Sequence, residues 1–148
     1  MAENHFSGDL HHQIYKKLLE VIPQLDGIAE HGKSVVPGYM DLNLDILKRG
    51  KDKTVIALSH YFKQGGDMLA DPDMVIAVYP DRAMAEALTY QDCYRFQEVY
   101  SDGGRLVDIR AKRDLNKFLS HWLKNLRIQG HCITSPAVTV AVEDVACA

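Results

Sequence analysis

Cysteine is scarce in this sequence. Cys93, Cys132 and Cys147 are an odd number at unpatterned spacings, with no Cys-x-x-Cys pair among them. That pattern argues against a disulfide framework or a zinc knuckle and points to a reducing cytoplasm. No apolar stretch approaches the ~20 residues that cross a membrane. The start, Met1-Ala2-Glu3-Asn4-His5, lacks the basic residues and apolar run of a secretion signal. Internal repeats and low-complexity segments are missing, as are the Gly-x-Ser-x-Gly elbow and the His-Glu-x-x-His zinc pattern. What is present is 148 residues, 47% hydrophobic and 25% charged, the composition of one soluble globular domain. A chain of this length buries roughly 68–70% of the surface its unfolded form exposes, so its core is expected to need neither metal nor disulfide staples.

The net charge of −3 is unevenly spread. Between Arg105 and Arg127, seven basic residues face only Asp108 and Asp114, a net of +5. Between Asp67 and Gly104, eight acids face only Arg82 and Arg95, a net of −6. An overall acidic chain is no dedicated nucleic-acid binder, but a bipolar surface can engage a charged partner locally.

The periodicity predicts an α+β fold, an antiparallel sheet of about five strands flanked by an N-terminal and a C-terminal amphipathic helix. Leu10, Ile14, Leu18, Ile22 and Leu25 recur at helical steps, with Asp9 as the expected N-cap and Pro23 near the far end. Residues 27–38 read as loop. Met40 to Ile46 alternates as a half-wet strand and pairs through a polar turn with Thr54 to Phe62. Residues 64–73 read as a Gly, Pro and Asp loop, followed by a nearly continuous apolar run from Met74 to Tyr79 that suits a strand covered on both sides. The alanines of Ala83 to Thr89 favour helix, whereas Met84, Glu86 and Leu88 share one strand face; read as a strand, it hairpins with Cys93 to Tyr100 and sets Glu86 opposite Arg95. The second helix buries Leu115, Phe118, Leu119, Trp122, Leu123 and Leu126 and turns Arg110, Arg113, Lys117, Lys124 and Arg127 outward. Residues 1–131 are expected to form the domain. Residues 132–148 form a tail that adds an edge strand, crosses to a partner or stays loose.

Two arrangements invite a chemical reading. Gly27-Ile28-Ala29-Glu30-His31-Gly32-Lys33-Ser34 matches the phosphate-loop pattern letter for letter. That motif needs a buried strand before it and a helix after it. Here a helix precedes, Val35-Val36-Pro37-Gly38 follows, and Glu30 would sit in the cradle, so the match is read as a coincidental turn. The second is the acidic loop, where His60 is followed by Asp67, Asp71 and Asp73. One imidazole with three carboxylates is a set that holds a divalent cation or moves protons. The EF-hand ladder is absent, however, and Asp and Gly are ordinary turn residues. No metal or cofactor is therefore assigned.

Asp71-Pro72-Asp73-Met74, Val78-Tyr79-x-Asp81, Met84-Ala85-Glu86, Tyr90-Gln91, Arg95-Phe96, Tyr100 and Leu115-Asn116-x-Phe118-Leu119-x-x-Trp122-Leu123 follow one another in order. With His60-Tyr61 and Gly66-Asp67, this run from Leu58 to Leu126 resembles the bacterial YqiB-like proteins, a family with no assigned function. The chain departs from them at Ser101-Asp102-Gly103-Gly104 and after His131. The resemblance implies a bacterial α+β protein and supplies no active site.

The expectation is thus a non-enzymatic binding or regulatory module acting through a protein partner, for instance an inhibitor or accessory protein of a mobile element. Tyr61, Asp67, Asp71, Asp73, Tyr79, Arg95 and Tyr100, together with the helix ridge of Arg110, Arg113, Lys117, Lys124 and Arg127, are the interaction candidates. The alternatives are a metal-dependent hydrolase built on His60, Asp67, Asp71 and Asp73, and nucleic-acid contact through the ridge. A homodimer is also weighed, since an acidic patch and a basic ridge can meet across a symmetry axis.

Overall fold

The computed structural model describes residues 2–134, with the side chains of 9–63 and 65–134. Helix α1 (Ala2–Val21) leads through a single 3-10 turn at Leu25–Gly27 into strand β1 (His31–Ser34). Strands β2 (Leu42–Arg49), β3 (Thr54–Gln64), β4 (Asp67–Tyr79), β5 (Met84–Gln91) and β6 (Phe96–Glu98) follow. A small ribbon of β7 (Tyr100–Ser101) and β8 (Leu106–Val107) precedes helix α2 (Ile109–Gln129). The six long-sheet strands lie in sequence order and every pairing is antiparallel. The class is α+β, with one strand more than the five expected.

The period of two explains which side the helices cover. Leu44, Leu58 and Met74 are cross-strand neighbours, as are Ile46, Ile56, Ile76 and Ala87. These residues share one face, where they pack with Ile14 and Leu18 of α1 and Leu115, Leu119, Trp122 and Leu123 of α2. Each fully buried Leu or Ile contributes roughly 1.5–3 kcal/mol, so this two-layer core carries the fold. The other face presents the alternate residues: Lys33, Asn43, Ser59, Asp73 and Gln91 form one row across five strands. Among the described residues, neither helix covers that face.

Several expectations are corrected. Helix α1 starts at Ala2, so Asp9 lies inside it and is no N-cap. The helix stops at Val21, and Arg49 donates to the carbonyls of Leu25 and Ile28 to hold the turn that follows. Residues 31–34, expected as loop, pair with Leu42–Asp45. His-Gly-Lys-Ser has little strand propensity of its own, and pairing with β2 overrides it. Gly32 is needed there, because a Cβ at this position would lie 2.5 Å from Ile133 Cγ2.

The acidic loop is no loop. Gly65 and Gly66 take φ of 61° and 93° in a two-residue hairpin closed by Gln64 and Asp67, and β4 starts at once. A register shift falls between Ser59 and Tyr61, opposite the cis Asp71–Pro72 peptide. The β5–β6 hairpin also turns later than expected. The Asp92 carboxylate accepts from the N–H groups of Tyr94 and Arg95 at 2.8 and 3.0 Å, so Thr89 pairs with Glu98. Glu86 therefore does not face Arg95.

Helix α2 forms where expected and is well capped, but Phe118, expected on its buried face, is 37% exposed at the margin of that face, where its ring packs on Tyr90 and Trp122. Asp108 accepts from Ala111 N at 2.9 Å, and Gly130 ends the helix at φ 98°. Ile133 is buried and donates its N–H to Val21 O, so the chain remains packed past residue 131. The tail strand expected at 137–142 lies outside the described residues. Cys93 is a free, exposed thiol, whereas Cys132 is disulfide-bonded. The cysteine count is therefore no argument for a reducing compartment. Among the described residues, no helix is long and apolar enough to cross a membrane.

Candidate functional site

The uncovered sheet face has a concave end. Strands β1 and β2 and the far end of β3 enclose a cleft of about 340 Å³, walled by His31, Lys33, Asp41, Asn43, Tyr61 and Met68. Lys33 and Asp41 form an ion pair across it at 3.3 Å. Ser59 lies between Asn43 and Asp73 in the polar row and is only 1% exposed. Its Oγ makes no well-formed hydrogen bond, with the Tyr61 phenol as its polar neighbour. The link from β1 to β2 leaves Val35, Tyr39 and Met40 exposed, and Met68 on β4 is 58% exposed. Apolar anchors of this type, rimmed by Asp41 and Asp45, are the composition of a protein-binding patch.

Tyrosine–carboxylate pairs recur beyond the cleft. Tyr61 donates to Asp73 at 2.9 Å, and burial first, then that carboxylate, raises its phenol pKa. Tyr79 and Tyr100 donate to the two oxygens of Glu86 at 2.8 and 2.7 Å. Burial and the Glu86 charge push Tyr79 up to about 12 and Tyr100 higher still. Lys112 Nζ lies 5.6 Å from the Tyr100 ring centroid. In each pair the phenol holds its proton, so these tyrosines donate hydrogen bonds and are poor nucleophiles.

The residues singled out from sequence do not form one site. His60 points to the helix side: its Nδ1 donates to the Asp41 carbonyl at 2.8 Å, and its ring meets Trp122 edge-on at 5.5 Å. Asp73 is on the opposite face bonded to Tyr61, Asp71 is exposed beside Pro72, and Asp67 is exposed at the hairpin tip. Among the described residues, no group of three or more His, Cys, Asp or Glu side chains is placed to hold a metal ion. Lys33 sits in a strand with no helix after it, as the failed phosphate-loop context requires. Arg95 is exposed in the Asp92 turn, 5.8 Å over the Tyr90 ring.

Arg110, Arg113, Lys117, Lys124 and Arg127 are all exposed on α2, in the layer away from the open face. Arg113 pairs with Asp114 at 3.2 Å and Arg127 with Glu20 at 3.5 Å. Sequence reasoning missed Ser59, Asn43, Asp41 and Met68. Their signal was available in the alternation of the two strands, but it took β1 and the Gly65-Gly66 hairpin to bring them together.

Behind the cleft, Ser34 Oγ accepts from Cys132 N at 3.1 Å and lies 2.9 Å from His131 Nδ1. His131 is 1% exposed, its Nε2 has no well-formed partner, and its ring centroid is 5.8 Å from that of His60. Burial, then the neighbouring His60, lowers its pKa.

A family model described as a domain of unknown function, DUF6908, matches residues 13–132. No curated protein and no solved structure matches the chain.

Proposed function

We propose that this chain, which belongs to the DUF6908 family, is a binding module that takes a protein partner on the open face of its sheet. The observation that carries the reading is the exposed Met68 in the wall of a cleft that also holds Asp41, Asp45 and Tyr61, with the exposed Tyr39 and Met40 next in the chain to Asp41. At this end of the sheet Asp41, Asp45, Asp67, Asp71 and Asp73 outnumber Lys33 and Lys63, which favours a basic partner surface. The tyrosine–carboxylate pairs support a recognition surface over an acid–base machine, because each titratable group is already committed to a neighbour. The resemblance to YqiB-like proteins belongs to the same proposal and adds no activity to it. Roles as an inhibitor or accessory protein, in a bacterial cytoplasm, are also part of the proposal. Nucleic-acid contact through the α2 ridge ranks below it, since two of the ridge cations are already paired.

The test is capture of a stoichiometric partner at low and moderate salt by the wild-type chain and by two surface variants. Met68→Lys is expected to lose the partner, while Lys117→Glu on α2 keeps it. Recovery of no stoichiometric protein under either condition, or loss only in Lys117→Glu, removes the reading. A partner that proves to be a second copy of the chain makes the module a homodimer.

A further inference from the structure

The opposite end of the open face has the reverse charge. The β2–β3 turn closes on itself, with Gly50 N donating to Lys53 O at 2.8 Å. The β4–β5 link, Pro80–Arg82, lies beside it because Thr54 and Val78 are cross-strand neighbours. Between the two turns is a cavity of about 470 Å³, within the size range of small-molecule sites. Lys48, Lys51, Lys53 and Arg82 line it against Asp52 and Asp81, a net of +2. Among the described residues, none of these six forms an ion pair. Tyr79 supplies one wall, its ring fixed by the hydroxyl's bond to Glu86.

A solvated lysine turn alone would carry no ligand argument. Here an arginine from a separate turn joins three lysines across a concave space, and the excess charge goes unbalanced in a chain whose net charge is −3. We propose that this cleft binds a small free anion bearing phosphoryl groups. Such a group carries about −1.5 to −2 at neutral pH, the charge the cleft lacks. It also offers several acceptor oxygens, to which Arg82 can present a forked pair of donors. A long polyanion is disfavoured. Lys48 and Asn43 are five residues apart on β2, or roughly 17 Å at strand rise, so an extended chain along the face would run into Asp45 and Asp73.

The probe is pyrophosphate, titrated calorimetrically into the full chain at low salt. Saturable binding at one site per chain is expected, weaker with inorganic phosphate. Arg82→Ala and the Lys51→Ala/Lys53→Ala pair are each expected to weaken it roughly tenfold or more, the loss of at least one charge-assisted hydrogen bond. Lys117→Ala/Lys124→Ala on α2 removes the same charge elsewhere and is expected to leave binding unchanged. All five positions are exposed, so these variants test the ligand and not the core. The proposal is overturned by no saturation at millimolar pyrophosphate, or by equal weakening in the α2 variant. Tighter binding of a short nucleic-acid duplex, lost in the same cleft variants, also overturns it. The partner proposal concerns the other end of the sheet and survives any of these results.

Discussion

Replacing Asn116 tests how the sheet edge is sealed. Strand β6 pairs with β5 only over Thr89–Gln91, and a register shift falls between Val75 and Ile76 beside it. The backbone N–H of Ala87 takes its partner from helix α2, donating to Asn116 Oδ1 at 2.8 Å. Asn116 Nδ2 in turn donates to Lys112 O at 2.7 Å, and the side chain is 1% exposed. Asn116→Ala strands a buried N–H, which costs about 1–3 kcal/mol, and leaves a small void worth about 1 kcal/mol more. Asn116→Leu fills the space and still strands the donor, so it should lose nearly as much. The sum, about 2–4 kcal/mol, corresponds to a fall in Tm of roughly 5–15 °C for a chain of this length. Urea unfolding followed by far-UV circular dichroism gives the difference directly. If both variants unfold within about 0.5 kcal/mol of wild type, the account of how α2 closes the β5 edge is wrong.

Other consequences follow from single contacts. Gly32→Ala places a Cβ against Ile133 Cγ2, so it should destabilise by about 1–3 kcal/mol. Adding Ile133→Val should recover part of that loss, and strict additivity of the two would contradict the contact. His131 and His11 both have pKa values lowered by burial, opposed at His11 by Glu86. The unfolded chain thus binds more protons below the usual histidine value. Stability should be full above about pH 6.5 and decline as pH falls through the folded values, by at most about 1.4 kcal/mol per pH unit for each histidine. A denaturation midpoint that stays flat from about pH 7 to about pH 5 contradicts this. At the alkaline end, the ultraviolet tyrosinate titration should show transitions delayed beyond pH 10, including Tyr79 and Tyr90 near 12. Glu86→Gln should bring Tyr79 and Tyr100 down and leave Tyr90, which is bonded to Asp92, in place.

Where side-chain periodicity is long and uninterrupted, the architecture was legible before any coordinates. Helix α2 repeats its apolar residues over about three turns, from Leu115 to Leu126, and the apolar run of Met74 to Tyr79 marks a strand, although the helices cover one of its faces and not both. The failures have local causes. β1 is a strand through its partner and not through its own residues, and the Gly-Lys-Ser pattern there draws the eye to phosphate. The acidic stretch was misjudged because Asp and Pro mark turns, although Gly65-Gly66 was the stronger hairpin signal. The β5–β6 register hinged on the Asp92 carboxylate, a side-chain device that composition does not display.

The candidate site was less legible still. Tyr61, Asp73, Tyr79 and Tyr100 were picked out singly, but their partners are set by register, which a shift of one residue changes. Glu86 illustrates the point: it was paired on paper with Arg95, and in the fold it holds two phenols. The cationic cleft escaped because Arg82 is about thirty residues from Lys51 and meets it only once β3 and β4 pair.

The most direct measurement is a methyl NMR footprint of the methionine-labelled chain with its captured partner. Met68 is exposed in the wall of the open-face cleft and Met40 is exposed next to Asp41, whereas Met74 is buried in the core. The account predicts that the Met40 and Met68 methyl signals shift on complex formation while Met74 stays in place. Unchanged Met40 and Met68 signals in a saturated complex, with the perturbation confined to backbone amides of α2, would place the partner on the basic helix and contradict the account.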